Sequence, residues 1–288
     1  MNKYVILAAS ACLAAITPVS AQAAEILAPG SSQGWTTTDI AQGGSAAITS
    51  TYIPAGPGQT GSLELNMPNA SSKAVFIYSF TNGLTLGDLL TGMTSGSGVS
   101  FDFFRDVSST ATAHFAPVLR FSFLTAGGKY GELVWESVYN GGGNIAEGVW
   151  LHADLTGDNF YQRTYQSFMG ILYGGKTVDV YNKTITDYLG GTFSDGQDTS
   201  VLLGNDTLIR KVSLGVGSGW NGSYAGAVDN LSIDMGSKGL MTANFNPTAA
   251  PAAAVPEPAT WLMLILGFGL IGGTMRSRRS TALRALTA

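Results

Sequence analysis

The chain has 288 residues, of which 45% are apolar and only 12% charged, with 38 glycines and a formal net charge of −4. Aromatic and β-branched residues are too frequent for disorder, and the absence of a basic excess argues against nucleic acid as a partner. Its one cysteine, Cys12, and its two histidines, His114 and His152, leave little material for disulfides or for a zinc site of the usual ligands.

In chain order, Lys3 supplies a positive start and Tyr4 to Ile16 an apolar run, and Pro18 breaks it before Ala21-Gln22-Ala23. This pattern predicts a secretory signal peptide over residues 1–23, cut after Ala23 or Ala21. Ala9 stands where a lipoprotein signal would have leucine, so Cys12 leaves with the peptide and the mature chain has no thiol. Between the two ends lie about 230 residues, enough for one large core. They hold ten Lys and Arg against eighteen Asp and Glu, a net of −8.

After Ala28-Pro29-Gly30-Ser31, short apolar runs alternate with turn-forming residues. Strands are predicted at Gly61–Met67, Lys73–Phe80, Gly98–Arg105, Pro117–Leu124, Glu132–Tyr139, Gly148–Leu155, Lys176–Tyr181, Leu208–Val216 and Ser223–Met235. Period-two alternation puts Leu63, Leu65 and Met67 on one face, as it does Val99, Phe101 and Phe103, or Leu119, Phe121 and Phe123. Turns fall at Thr125–Lys129, Asn140–Asn144, Gly174-Gly175 and Asp195-Gly196. One short helix is expected over Leu84–Met93, capped by Thr85 or Asn82. The pattern predicts an all-β domain over residues 24–243, a jelly-roll-type antiparallel β-sandwich. Residues 244–254, rich in Pro and Ala, read as a linker.

Candidate site residues come from the strand pattern. Trp150, His152 and Asp154 alternate with Leu151 and Ala153, so they share one sheet face. An indole beside an imidazole and a carboxylate suits a sugar ring and its hydroxyls. Trp135 and Tyr139, on a neighbouring run, would extend that platform. Trp220, in a Gly-x-Gly-Trp-Asn-Gly loop, either caps the core or lines a cleft. The strand period places Asp229 inward with Ala227, Leu231 and Ile233, where a carboxylate needs loop amides or a bound Ca²⁺. Asp154 to Asn159 gathers oxygens but lacks the order of a calcium loop. No nucleophile elbow or phosphate loop is present. Glu132 and Glu136 share a strand face at about 13 Å, too far apart for a glycosidase pair. The expectation is therefore a non-enzymatic protein without a cofactor.

The C-terminus is the most specific stretch. Val255-Pro256-Glu257-Pro258-Ala259-Thr260-Trp261 leads into an uncharged run to Met275, followed by Arg276, Arg278 and Arg279. From Trp261 the run spans roughly 22 Å as a helix, short of the ~30 Å hydrocarbon core; extended to Ala259 it nears the lower limit. The arginines would hold its end on the cytoplasmic side. Residues 255–279 resemble the PEP-CTERM sorting signal of Gram-negative bacteria: Pro-Glu-Pro-x-x-Trp, an apolar transmembrane helix and an arginine cluster. Residues 280–288 form a short cytoplasmic tail beyond it.

That resemblance implies an exosortase-type membrane protease as partner, a membrane-tethered precursor, and a final place at the cell surface or in an extracellular polysaccharide matrix. Gly217 to Asp234, with Gly226-Ala227-Val228-Asp229-Asn230-Leu231, also resembles the closing strand of concanavalin-like and galactose-binding-like sandwiches. The expected role is structural or adhesive in exopolysaccharide or biofilm matrix. The alternatives are a lectin-like carbohydrate-binding module and, third, a glycan-active hydrolase.

Overall fold

The computed structural model describes residues 34–165, 167–168, 171–172, 178–194, 199–217 and 219–247, with the backbone of 25–27. The expected signal peptide, residues 248–254 of the linker, the sorting segment and the tail lie outside the described residues. Among those described, no helix is long and apolar enough to cross a membrane.

Two seven-stranded sheets carry the fold. The first contains β1 (Glu25–Leu27), β3 (Ser45–Thr49), β4 (Ser62–Met67), β6 (Val99–Arg105), β9 (Trp150–Asp154), β15 (Tyr224–Asp234) and β16 (Leu240–Asn244). The second runs in the order β13 (Val178–Thr184), β10 (Asn159–Thr164), β8 (Tyr130–Trp135), β7 (Val118–Leu124), β14 (Leu208–Gly217), β5 (Lys73–Ser79) and β2 (Trp35–Ala41). A separate hairpin joins β11 (Ser167–Phe168) to β12 (Ile171–Leu172). Pairing within the large sheets is antiparallel except between β1 and β16. The chain crosses between sheets at β1–β2, β2–β3, β4–β5, β5–β6, β6–β7, β8–β9, β9–β10 and β14–β15, as a jelly-roll sandwich requires.

Alternation decides which face is dry. Leu119, Phe121 and Phe123 of β7 and Val99, Phe101 and Phe103 of β6 are buried, as their spacing predicts. Phe101 meets Trp135 of the opposite sheet edge-on at 5.5 Å. Trp35 is wholly buried, stacked on Phe76 at 5.4 Å with Phe245 against its edge at 5.3 Å. Each such side chain contributes about 1.5–3 kcal/mol of burial.

The strand expectations hold with shifted ends. The predicted Glu132–Tyr139 run is a strand only over Tyr130–Trp135, and Ser137–Tyr139 turns back as one 3-10 turn. The expected helix is α1 (Leu86–Ser95), and Thr85 is its cap: its hydroxyl accepts from the Asp88 amide while the Asp88 carboxylate accepts from the Thr85 amide. An unexpected second helix, α2 (Ile185–Gly190), has the same capping box from Thr184 and Asp187. Strands β2, β3, β10 and β16 also lie outside the predicted set. The packed domain continues past residue 243, because Phe245 is buried and the Asn246 side chain accepts from the Thr60 and Gly61 amides.

β15 departs from a regular strand. Its register slips between Asp229 and Ser232, and Asn230 takes a left-handed φ of 50°. Before this bulge Asp229 pairs with Asp102 and Ala227 with Phe104, residues of the outer face. After it Leu231 and Ile233 point inward. The assignment of Asp229 to one face with Leu231 and Ile233 is thus corrected: the extra residue of the bulge reverses the phase. Asp229 is buried all the same. It sits where the neighbour of β15 changes from β4 to β16, and its carboxylate accepts the Phe245 amide at 2.8 Å. Burial pushes its pKa up to about 6, against the hydrogen bonds from the Phe245 and Asn230 amides.

Candidate functional site

The outer face of the second sheet is a cleft of about 700 Å³. Cross-strand pairing aligns its side chains in rows, because directly opposed residues share a face. One row reads Asp179, Arg163, Glu132, Ser122 and Lys211 across β13, β10, β8, β7 and β14. The next reads Tyr161, Val134, Arg120, Ser213 and Ile77, from β10 to β5.

The polar groups are fixed by one another. Arg163 forks onto Asp179, with both bonds at 2.7 Å, and its guanidinium lies 5.6 Å over the Tyr161 ring. This pairing with Asp179 raises the Arg163 pKa, so the cation is permanent. The Tyr165 hydroxyl donates to Glu132 at 2.6 Å and that of Tyr161 to Glu136 at 3.2 Å. Burial raises the Glu136 pKa, while Arg120 and the Tyr161 hydroxyl act in the opposite direction. Lys73 pairs with Asp39 at the far side. The Arg120 Nη1 is buried and has no hydrogen-bond partner among the described residues. A Cβ at Gly215 would come within 3.1 Å of it and within 2.8 Å of the Ala74 carbonyl, so glycine there leaves the guanidinium its space.

Aromatic rings line one side. Tyr139, Tyr161 and Tyr181 form a cluster with centroids 4.9–5.8 Å apart. Burial pushes the Tyr181 hydroxyl up to about 12 and raises Tyr139 and Tyr161 as well, so all three remain neutral donors. At the rim Trp220 stacks flat on Phe115, 4.6 Å apart with 4° between planes. Arg105 holds that rim. Its side chain is 1% exposed and donates to Glu147 at 3.0 Å and to the carbonyls of Phe115 and Ala111 at 3.1 and 2.7 Å. A buried cation with these three acceptors and the Tyr224 ring at 5.4 Å ties the loop carrying Phe115 to the sandwich end.

The sequence-derived candidates separate. Trp150, His152 and Asp154 do share a face, but it is the outer face of the first sheet, on β9. Trp135 does not extend it: it is buried at 4% on the opposite sheet, and its indole nitrogen donates to Asp158 at 2.7 Å. Tyr139 belongs to the cleft rather than to the Trp150 face. Trp220 both closes the core and borders the cleft. For Asp229 the backbone amides of Phe245 and Asn230 supply donors, and no group of three or more potential ligands gathers among the described residues. Asp154 accepts the Thr156 amide in a local turn. Glu132 and Glu136 both line the cleft of the second sheet.

Sequence reasoning missed Arg120, Tyr161, Arg163, Tyr165 and Tyr181. A period-two signal was present in Asn159 to Tyr165, where Phe160, Gln162 and Thr164 are buried and Tyr161, Arg163 and Tyr165 face the cleft. Its inward set is two-thirds polar, with Gln162 satisfied by the Val201 carbonyl at 2.9 Å, so no apolar run marks it as a strand.

The terminal segment is decided by a family model described as the PEP-CTERM protein-sorting motif, which matches residues 254–279. The chain carries a PEP-CTERM sorting motif. The motif implies export and a membrane-anchored precursor. No curated protein matches the chain. Among solved structures, a family 11 carbohydrate-binding module of a cellulosomal cellulase of Clostridium thermocellum is similar at 10% identity. That match covers 67% of this chain and 84% of the other, with a TM-score of 0.30. The family 11 module from the same organism in complex with a β-1,3-1,4-mixed-linked tetrasaccharide shows 10% identity over 75% and 92%, with a TM-score of 0.31. An exo-β-agarase shows 12% identity over 69% of this chain and 22% of that one, with a TM-score of 0.33. Scores this low assign neither ligand nor activity to this chain.

Proposed function

We propose that this protein is a non-catalytic, surface or matrix component that grips extracellular polysaccharide in the cleft of its second sheet. The observation that carries the reading is the chemistry of that cleft. The half-exposed neutral rings of Tyr139 and Tyr181, backed by buried Tyr161, offer apolar faces for pyranose rings, and fixed carboxylates and guanidinium groups beside them suit alternating hydroxyl donors and acceptors. A groove open on a sheet face takes an internal stretch of a long chain without needing its end.

A glycan-active hydrolase is the second reading, favoured by the raised pKa of Glu136 inside a cleft. Against it, Glu132 lies four residues away along β8 and the extended residue that follows it, about 13 Å at ~3.3 Å per residue, beyond either glycosidase spacing. Binding without turnover is the simpler use of these groups.

Affinity electrophoresis of the full-length protein, solubilised in detergent, through gels containing the producing cell's own exopolysaccharide tests the reading. Retardation is expected, with a loss of about tenfold in Tyr161→Ala, which removes the buried ring that backs Tyr139 and Tyr181 and the hydroxyl that holds Glu136. Unretarded wild type would count against a glycan role. The sorting half is tested by intact mass. An exosortase-type protease should leave a released form ending near Pro256–Pro258, and a secreted form still containing Arg279 would contradict it.

A further inference from the structure

The first sheet has an outer face of a different kind. Paired residues of β6 and β9 run along it as a ladder: Phe104 opposite Trp150, Asp102 opposite His152, Ser100 opposite Asp154. Phe104 and Trp150 have centroids 5.7 Å apart, and Tyr52 from the β3–β4 loop lies on Phe104 at 4.7 Å. None of the three rings is fully buried. The apolar side chains beside Tyr52 and Trp150 in the chain, Ile53 and Val149, are exposed, as is Val107. Such a row of rings is unusual for the outer side of a sandwich sheet, where polar residues are the rule.

The charge around these rings has one sign. Asp106 lies beyond Phe104 and bonds the Tyr52 hydroxyl, while Asp102 and Asp154 follow on the other side. Hydrogen bonds from Ser108 hold the Asp106 carboxyl below its ordinary range, and those from Thr156 do the same for Asp154, so both stay ionised in mild acid. His152 is the one basic side chain in the ladder, and it is already bonded to Asp102 at 2.7 Å. The cleft of the second sheet, in contrast, sets Lys73, Arg120, Arg163 and Lys211 against Asp39, Glu132, Glu136 and Asp179.

We propose that this ladder is a second glycan face, separate from the cleft, and that it takes a polysaccharide of amino sugars with free, protonated amines. Pyranose rings stack on Trp150, Phe104 and Tyr52. Their ammonium groups meet both the ring faces and the flanking carboxylates, and the two attractions reinforce one another. An aliphatic protein partner would have no use for a row of rings bordered by carboxylates, and a uronate polymer would be repelled by them.

The test titrates full-length protein in detergent with a β-1,4-glucosamine hexamer and with the same hexamer fully N-acetylated, at low ionic strength. The free-amine oligomer should bind at least tenfold more tightly. Trp150→Ala and Asp106→Asn should each weaken it about tenfold, and Tyr161→Ala in the cleft should leave it unchanged. Equal binding of both hexamers overturns the charge selectivity. Glucosamine binding lost in Tyr161→Ala but retained in Trp150→Ala assigns the ligand to the cleft and overturns the second face. Absence of binding overturns it too, whether or not the cleft holds polysaccharide. Trp150 and Asp106 are surface positions, and an unchanged thermal midpoint in their variants separates loss of binding from loss of fold.

Discussion

Asp229 is charged at neutral pH only at a cost, because it is fully buried and one of its carboxylate oxygens has no partner among the described residues. Its folded pKa of about 6 lies above the ~3.9 of an unfolded aspartate, so the folded chain holds the proton more tightly. The stability this group contributes is therefore present below about pH 4 and is lost as pH rises through 6. The difference is on the order of 3 kcal/mol. Asp229→Asn keeps an acceptor for the Phe245 amide and removes the ionisation. Thermal midpoints measured from pH 4.5 to 7.5 should fall less with pH in this variant, and at pH 7.5 it should be no less stable than wild type. Parallel curves for the two proteins would show that Asp229 does not titrate in this range. Glu136 and Asp158 are also raised by burial and act in the same direction, so the comparison with the variant isolates the Asp229 part.

Among the elements, β15 has the most dependents: it pairs with β4, β6 and β16, and its bulge lets two successive neighbours share one edge. Asn230 makes the bulge possible by adopting φ 50° and by bridging Asp102 and Gln59 at 2.7 and 2.9 Å. Asn230→Ala should cost about 1–2 kcal/mol for the left-handed backbone alone, and Asn230→Gly should recover that part. Chemical denaturation of both variants checks this, and equal losses would place the cost in the side-chain bonds instead. Elements of this kind were legible in the sequence wherever one face is apolar, as in β4, β6, β7 and β14. Among the strands that escaped, β2 and β10 carry Thr, Asp, Gln or Arg on both faces, β2 because it lies at a sheet edge and β10 because it buries polar groups with partners, while the edge strand β3 is short and made mostly of small residues. A bulge leaves no periodic trace, so the phase of Asp229 could not be read from spacing. The cleft escaped for a related reason: its residues come from seven strands scattered between Thr38 and Trp220, and only pairing brings Arg120 beside Tyr161.

At the scale of the whole molecule, the described sandwich and the sorting segment answer different questions. The PEP-CTERM motif at residues 254–279 is one contiguous stretch, and the resemblance read from Pro256, Glu257, Pro258, Trp261 and the arginines agrees with the family model. Binding chemistry, by contrast, depends on how the two sheets present their outer faces, one with balanced charge and one acidic. The proposed reading, a component that holds matrix polymers rather than one that processes them, rests on these two faces. The most direct test of that account is a backbone amide NMR titration of the protein with oligosaccharides released from the producing cell's own exopolysaccharide. The account predicts saturable shifts centred on Tyr139, Tyr161, Arg163 and Tyr181. Shifts confined to residues away from the cleft, or none at saturating oligosaccharide, would contradict it.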